Sequence, residues 1–100
     1  MAQFTHSIVI PAYNESSRLG ASLEKILAYV QKSGWRAEIL IVNDGSRDNT
    51  AEIARSFERR YGLIRLIENP GNRGKGFSVR NGMLHASGDR LLFTDADLSS

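Results

Sequence analysis

The stretch Leu91-Leu92-Phe93-Thr94-Asp95-Ala96-Asp97 joins an apolar run to two carboxylates that are separated by one alanine. An apolar run of this length is typical of a buried strand. Alternate side chains of an extended chain point the same way, so Asp95 and Asp97 can face one spot at the strand's carboxyl end. Two hard oxygen ligands suit a divalent cation such as Mg²⁺ or Mn²⁺, especially one that also carries substrate phosphates. The competing interpretation is a turn or a helix N-cap over residues 97–100.

Three further apolar runs, at residues 7–10, 37–42 and 63–67, are also typical of buried strands. We expect Pro11 to end the first of them, because proline cannot donate to a strand ladder. The segments between the runs have apolar residues at helical spacing, which predicts three helices. The order is therefore β-α-β-α-β-α-β, which favours an α/β fold with a parallel sheet, helices on both faces, and one domain over residues 1–100.

The expected helix boundaries follow from capping residues. Ser16 or Ser17 is expected to cap the first helix and Gly34 to stop it; Asp48 or Asn49 is expected to cap the second. The third helix is predicted over residues 76–86, and its inward positions are expected to be Val79, Met83 and Leu84.

Composition excludes several classes of protein. The 100 residues are 41% hydrophobic and 24% charged, with a formal net charge of +2, which is ordinary for a globular domain and gives no nucleic-acid signature. The absence of cysteine excludes a disulfide framework and a thiolate metal site. No signal-peptide pattern and no apolar run long enough for a membrane span occur, so we expect a cytoplasmic chain.

Polar residues follow each predicted strand, at the edge of a parallel sheet where ligands bind. These residues are Tyr13, Asn14 and Glu15; Asp44, Gly45 and Ser46; Asn69, Asn72, Arg73 and Lys75; and Asp95 and Asp97. The acidic pair indicates a metal-bridged diphosphate, and Arg73 and Lys75 are suited to neutralise further phosphate charge. Asp44 and Glu15 are suited to accept hydrogen bonds from ribose hydroxyls or a base N–H, and Tyr13 to flank the base.

Each of these features also has a structural explanation. Asp44-Gly45 is a common turn dipeptide, Glu15 is suited to a helix's first turn, and Arg73 and Lys75 are compatible with a solvated surface pair. A dinucleotide fingerprint and a phosphate-binding P-loop are both excluded, because the required glycine spacings do not occur.

Four motifs in order resemble family 2 glycosyltransferases, and in particular dolichyl- or polyprenyl-phosphate glucosyltransferases. The motifs are residues 8–15 (IVIPAYNE), residues 42–46 (VNDGS), residues 72–76 (NRGKG) and residues 95–97 (DAD). The resemblance implies an inverting enzyme of GT-A fold, Rossmann-like in three α/β/α layers, with strand order 3-2-1-4 and a nucleotide-diphosphate-sugar donor.

The resemblance also implies roles for individual residues. The nucleotide-binding positions are Pro11, Ala12, Tyr13, Glu15, Asp44, Arg73, Lys75 and Asp95, and the metal ligands for Mg²⁺ or Mn²⁺ are Asp95 and Asp97. UDP-glucose is the implied donor and a polyprenyl phosphate the implied acceptor, with GDP-mannose as the alternative donor. Such an acceptor is already ionised, so a strong general base is less necessary, and no residue here is assigned as catalytic.

Family members continue past the Asp-x-Asp motif with an acceptor-binding half, and they are often membrane-associated, whereas this sequence stops three residues after Asp97. We therefore expect donor and metal binding with little or no sugar transfer. In strand order 3-2-1-4 the fourth strand is an exposed apolar edge, which predicts a homodimer through residues 91–94. The remaining hypothesis is a folded, self-associating fragment without ligand affinity.

Overall fold

Strands and helices alternate along the whole described part of the chain. The computed structural model describes residues 4–95. Its elements are β1 (His6–Ala12), α1 (Leu19–Ser33), β2 (Ala37–Asn43), α2 (Thr50–Arg60), β3 (Ile64–Glu68), α3 (Lys75–His85) and β4 (Arg90–Phe93). The predicted element order and the four apolar strands are confirmed.

The four strands form one parallel sheet in the order β3-β2-β1-β4, as expected. In the register, Ile8 of β1 lies between Ile39 of β2 and Leu92 of β4. Strands β1 to β3 are added in one direction across the sheet, whereas β4 is added on the other side of β1. The order of the strands therefore reverses between β1 and β4. A crevice therefore opens beyond the carboxyl ends of β1 and β4.

The larger core lies between the sheet and the helices α1 and α2. Alternate residues of each strand face this layer, so branched side chains line it in register. Its buried members are Ile8, Ile10, Ala12, Leu19, Leu23, Ile26, Val30, Ala37, Ile39, Ile41, Ala54, Phe57 and Ile64. Burial of each fully covered branched side chain stabilises the fold by about 1.5–3 kcal/mol.

Helix α3 covers the opposite face of the sheet, over Val9, Leu40, Val42 and Ile67. Its buried positions are Ser78 and Gly82, whereas Met83 and Leu84 are 47% and 78% exposed. The predicted inward face was therefore wrong for Met83 and Leu84. A Cβ on Gly82 would lie 2.4 Å from Cγ1 of Val9, so the glycine allows the helix to approach the sheet more closely than a side chain would permit.

The first strand does not end at Pro11 but continues to Ala12. In a parallel strand, alternate residues bond to opposite neighbours: the carbonyl of Val9 accepts from the Thr94 N–H, and that of Ala12 accepts from the Asp44 N–H. Pro11 has the same parity as Val9, so its nitrogen faces the β4 side, beyond the last β4 pair. The missing N–H therefore removes no ladder bond.

One helix start differs from the capping prediction, and one agrees with it. The residue preceding α1 is Arg18, without a side-chain cap, and neither serine caps it; the N–H groups of Arg18 and Leu19 donate to the carbonyl of Glu15 instead. The residue preceding α2 is Asn49, yet Asp48 Oδ1 is the acceptor for the Thr50 N–H, at 3.0 Å. The predicted glycine stop of α1 is confirmed, because Gly34 has φ 76°.

Strand β4 is the exposed edge that the strand order 3-2-1-4 predicts, and not the buried strand that its apolar sequence alone predicts. Leu91, Leu92 and Phe93 are 37%, 38% and 48% exposed, because β4 pairs only with β1 among the described strands. Apolar composition predicted a strand correctly, but the neighbours of that strand are a tertiary property that composition does not contain.

The turn before β4 is fixed by Glu38, a buried carboxylate at the amino edge of the sheet. Glu38 Oε2 accepts from Ser7 Oγ at 2.6 Å and from the N–H and Oγ of Ser87 at 2.6 and 2.9 Å. Burial raises the pKa of Glu38, but these donors and the charge of Arg65 together hold it below its ordinary value. The network joins β1 and β2 to the chain entering β4.

Candidate functional site

The loops that follow the strands enclose a cavity of about 270 Å³ at the carboxyl ends of β1 and β4. It is lined by Pro11, Ala12, Tyr13, Glu15, Asp44, Lys75, Ser78 and Asp95. The structure therefore brings together every predicted nucleotide-binding residue except Arg73. Ser78 is the one lining residue that the sequence did not suggest.

Asp44 connects the loop after β2 to the loop after β3. Its carboxylate is 5% exposed. Oδ1 accepts from Asn69 Nδ2 at 2.8 Å and from the Arg73 N–H at 2.7 Å, while Oδ2 accepts from the Gly74 N–H at 2.9 Å. The loop that carries the NRGKG motif is thus folded around this carboxylate.

These donors decide the charge of Asp44. Burial raises its pKa, but the hydrogen bonds from Arg73, Asn69 and Gly74 lower it by more, so the pKa lies below the ordinary value and the group is ionised at neutral pH. Each carboxylate oxygen has two acceptor positions. Among residues 4–95, donors fill both positions of Oδ1 and one position of Oδ2, so Oδ2 can accept a further N–H or O–H donor.

Gly45 allows the loops after β2 and β3 to touch. Its φ is 71°, and a Cβ there would lie 2.8 Å from both the Asn72 nitrogen and the Gly71 carbonyl carbon. Asn72 Nδ2 also donates to the main-chain carbonyl of Asp44, at 3.2 Å. The turn dipeptide Asp44-Gly45 therefore has a structural role and a position in the candidate site at once.

The loop after β1 is held by the start of α2. Asn14, with φ 52°, accepts from the Arg47 N–H at its Oδ1 and donates its own N–H to Ser46 Oγ, each at 2.9 Å. The Glu15 N–H donates to Thr50 Oγ1 at 2.8 Å. These bonds hold Glu15 at the cavity wall, where its side chain also pairs with Arg18.

Asp48 stabilises the contact between the loop after β1 and the start of α2, and it does not line the cavity. It accepts from the hydroxyl and N–H of Thr50 and from the Ser16 N–H. The Thr50 hydroxyl, followed by the other bonds, lowers the pKa of Asp48 to about 2. Its role here is to fix Thr50 and thereby the Glu15 backbone.

The two cations of the third loop differ in where their charges lie. Lys75 lines the cavity, and its Nζ donates to Asp95 Oδ1 at 2.8 Å across the gap between α3 and β4. The guanidinium of Arg73 instead donates through Nε to the carbonyl of Pro70 at 2.8 Å. Arg73 therefore contacts Asp44 through its backbone N–H, and the predicted role of its charge stays a prediction.

Comparison with known proteins identifies the family. A family model described as glycosyl transferase family 2 matches residues 7–100. The chain belongs to this family. The predicted resemblance, including its dolichyl-phosphate glucosyltransferase branch, is confirmed by the curated relatives. For example, the chain is 43% identical over 96 residues to a dolichyl-phosphate beta-glucosyltransferase of Trichomonas vaginalis, a match that covers 91% of this chain and 28% of the relative.

Solved structures of glycosyltransferases share the fold of this family 2 chain. A Pyrobaculum calidifontis mannosyltransferase, in complex with GDP-Man and Mn²⁺, has TM-score 0.82 and 26% identity over 94% of this chain and 28% of that one. A Mycobacterium tuberculosis glucosyl-3-phosphoglycerate synthase in complex with UDP has TM-score 0.76 and 26% identity, over 97% and 35% respectively. The predicted GT-A fold is confirmed, and the chain spans less than a third of the curated relatives it matches.

The predicted metal ligands of this family 2 chain are only partly described. Asp95 contributes a carboxylate to the cavity, while Asp97 lies outside the described residues. Residues 4–95 contain no cluster of three or more His, Cys, Asp or Glu side chains that could hold a metal. The Asp95 carboxylate fits the oxygen preference of Mg²⁺ or Mn²⁺, and such ions take their remaining ligands from phosphates and water. Within the same residues, no helix is long and apolar enough to cross a membrane.

Proposed function

We propose that this chain is the donor-binding part of a glycosyltransferase that transfers glucose from UDP-glucose to a polyprenyl phosphate. The observation that carries the proposal is the cavity at the carboxyl ends of β1 and β4, which is lined by the ionised Asp44, whose Oδ2 accepts one hydrogen bond from residues 4–95. The glucosyl donor is supported by the name of the relative at 43% identity. UDP is supported by the complex of the M. tuberculosis relative.

The lining residues of the cavity suit the groups of a nucleotide diphosphate. Asp44 accepts a hydrogen bond from the base N–H or a ribose hydroxyl, and Tyr13, 45% exposed at the rim, flanks the base. Lys75 lines the same cavity beside Asp95 and supplies positive charge to the diphosphate. Asp95, with Asp97, would hold Mg²⁺ or Mn²⁺, which neutralises charge on the departing nucleoside diphosphate.

Base discrimination tests the proposal. Uracil and guanine have a ring N–H that can donate to Asp44, whereas cytosine has an acceptor at the corresponding ring nitrogen. If Asp44 binds the base, calorimetry in the presence of Mn²⁺ should show CDP binding at least about tenfold more weakly than UDP, because two acceptors would face each other. Equal affinities for CDP and UDP would place Asp44 on the ribose instead.

The donor alternatives are separated in the same titration. GDP binding more tightly than UDP would favour a GDP-mannose donor, as in the P. calidifontis mannosyltransferase complex. Asp44→Asn should lower UDP affinity at least about fivefold, since it replaces an anionic acceptor by an amide. Asp89→Asn is the matched control, because Asp89 is exposed before β4 at the opposite edge of the sheet. No UDP binding by a folded chain would contradict the proposal and favour a fragment without ligand affinity.

Self-association through β4 is a second proposal, and it rests on the exposed edge. An apolar groove of about 430 Å³ lies beside β4 and α1, lined by Ile8, Lys25, Ile26, Tyr29, Trp35, Leu92, Phe93 and Thr94. An edge strand flanked by apolar surface favours pairing with a second copy. Light scattering at high micromolar concentration should give a dimer mass that Leu92→Lys reduces to the monomer. A monomer from the unmodified chain would exclude the homodimer.

A further inference from the structure

Asn69 lies directly behind the Asp44 carboxylate and is 7% exposed. Its N–H donates to the carbonyl of Asn43 at 2.9 Å, which extends the β2–β3 ladder by one residue. Its Nδ2 donates to Asp44 Oδ1 and to Ser78 Oγ, both at 2.8 Å, and its Oδ1 accepts from Asn81 Nδ2 at 2.8 Å. Through its backbone and its side chain, one residue therefore connects the sheet, the candidate site and helix α3.

The orientation of the Asn69 amide is determined by these partners. The hydroxyl proton of Ser78 is donated to the carbonyl of Gly74, at 3.0 Å, so Ser78 Oγ must accept from Asn69. Asn81 presents an NH₂ group and Asp44 a carboxylate. If the Asn69 amide were flipped, its NH₂ group would face the Asn81 NH₂ group, and its oxygen would face the Asp44 carboxylate. Both contacts are unfavourable in a buried site.

We propose that Asn69 is a positioning residue for the nucleotide, because its hydrogen bond fixes the Asp44 carboxylate, which lines the cavity. The other two donors to Asp44, the N–H groups of Arg73 and Gly74, belong to a loop that is itself folded around Asp44. Asn69 is the donor that is anchored independently, through the sheet and through Asn81. This inference rests on the proposed function, since it assigns Asn69 to the same nucleotide site.

Asn69→Asp distinguishes the positioning of Asp44 from the packing of residue 69. It replaces the NH₂ donor by an oxygen and leaves the shape of the side chain almost unchanged. Above the titration range of the introduced carboxyl group, two carboxylates would face each other, and UDP affinity should fall at least about tenfold at pH 8. At pH 5 the pair can share one proton, which restores a donor to Asp44 Oδ1. UDP affinity should then return to within about fivefold of the unmodified chain.

The other charged groups near Asp44 are common to the variant and the unmodified chain, which is titrated in parallel. Glu15, Lys75 and Asp95 line the same cavity as Asp44. From α3, Nδ1 of the exposed His85 contacts the Asn81 carbonyl, and from the loop the Arg73 guanidinium is bonded to Pro70. A recovery of UDP affinity in acid that occurs in Asn69→Asp and not in the unmodified chain therefore arises from the introduced carboxyl group.

Two further variants complete the experiment. Asn72→Asp is the matched control, because it adds the same charge to a side chain that donates to the main-chain carbonyl of Asp44 and not to its carboxylate; any recovery of UDP affinity in acid should be smaller than in Asn69→Asp. Asn69→Ala should bind UDP about fivefold or more weakly at every pH, because the donor is lost and cannot be restored. Equal UDP affinity of Asn69→Asp and the unmodified chain at pH 8 would overturn the inference, as would an affinity loss that acid leaves unchanged.

A nucleotide-independent measurement separates this inference from the proposed function. The carboxyl carbon signal of Asp44, followed by NMR without ligand, should titrate at higher pH in Asn69→Asp than in the unmodified chain, and Asn72→Asp should follow the unmodified chain closely. An unshifted Asp44 titration in Asn69→Asp would overturn the positioning role even if UDP binds. If the Asp44 titration shifts but UDP does not bind, the contact between Asn69 and Asp44 is supported and only the nucleotide site is contradicted.

Discussion

Gly45→Ala tests whether the close contact between the loops after β2 and β3 is required for the site. The added Cβ would lie 2.8 Å from the backbone atoms of Asn72 and Gly71, about 0.6 Å inside the ordinary contact distance. Both neighbours are backbone atoms, so the loops must separate. Overpacking of this kind costs about 1–3 kcal/mol, and alanine at φ 71° costs about 1–2 kcal/mol more. The free energy of unfolding should therefore fall by about 2–5 kcal/mol.

Gly71→Ala is the matched control for this variant. Gly71 has φ 84° in the adjoining loop, and no atom lies within 4 Å of the Cβ position, so only the backbone strain applies. We expect a loss of about 1–2 kcal/mol in urea unfolding. The effect of alanine on the unfolded chain is common to both variants and cancels in the comparison.

The functional measurement is UDP affinity under conditions in which both variants are folded. Separation of the loops should weaken the bonds from Arg73 and Gly74 to Asp44, so Gly45→Ala should bind UDP at least about fivefold more weakly than Gly71→Ala. Equal unfolding free energies, or equal UDP affinities, in the two variants would refute the account of this contact.

Three further outcomes are expected. Gly82→Ala should lower the free energy of unfolding by about 1–3 kcal/mol, because its Cβ would overlap Val9. Gly76→Ala in the same helix places its Cβ in open space and should raise the free energy of unfolding by up to about 1 kcal/mol. Equal free energies of unfolding in urea for the two variants would contradict the close helix–sheet packing. The pKa of Glu38 is lowered in the folded state, so the stability it contributes is present above its unfolded pKa and is lost as pH falls through the folded pKa. Unfolding curves from pH 6 to pH 3 should therefore show an acid loss that is smaller in Glu38→Gln, and identical slopes would contradict this. Lys75→Gln should lower UDP affinity about tenfold, while Lys25→Gln, with the same charge change beside the distant groove, should change it less than twofold; a similar loss in both would indicate only a general charge effect.

The sheet could be predicted from sequence because its signal is local. The β-branched runs around Ile8 and Ile39 are buried on both faces, so they read as continuous apolar segments bounded by turn residues. The site could be predicted for a related reason: in parallel sheets every carboxyl end meets one edge, so residues far apart in sequence, such as Tyr13 and Asp95, line one cavity.

The features that were not predicted depend on contacts between elements. The inward face of α3 is defined by Ser78 and Gly82, because the helix packs against Val9 by close approach and supplies a hydroxyl to Asn69. Periodicity favours large apolar residues and therefore selected Met83 and Leu84 instead. The buried Glu38 at the amino edge was missed for the same reason, since its donors Ser7 and Ser87 come from distant parts of the chain.

The proposed function requires that the nucleotide binds in the cavity at the carboxyl ends of β1 and β4. Backbone amide NMR during a UDP titration with Mg²⁺ locates the binding residue by residue. The signals of Ala12, Asp44 and Gly74 should shift with UDP, while those of Tyr29 and Trp35 in the apolar groove should stay in place. Shifts confined to the groove, or none from a folded chain, would contradict binding in this cavity.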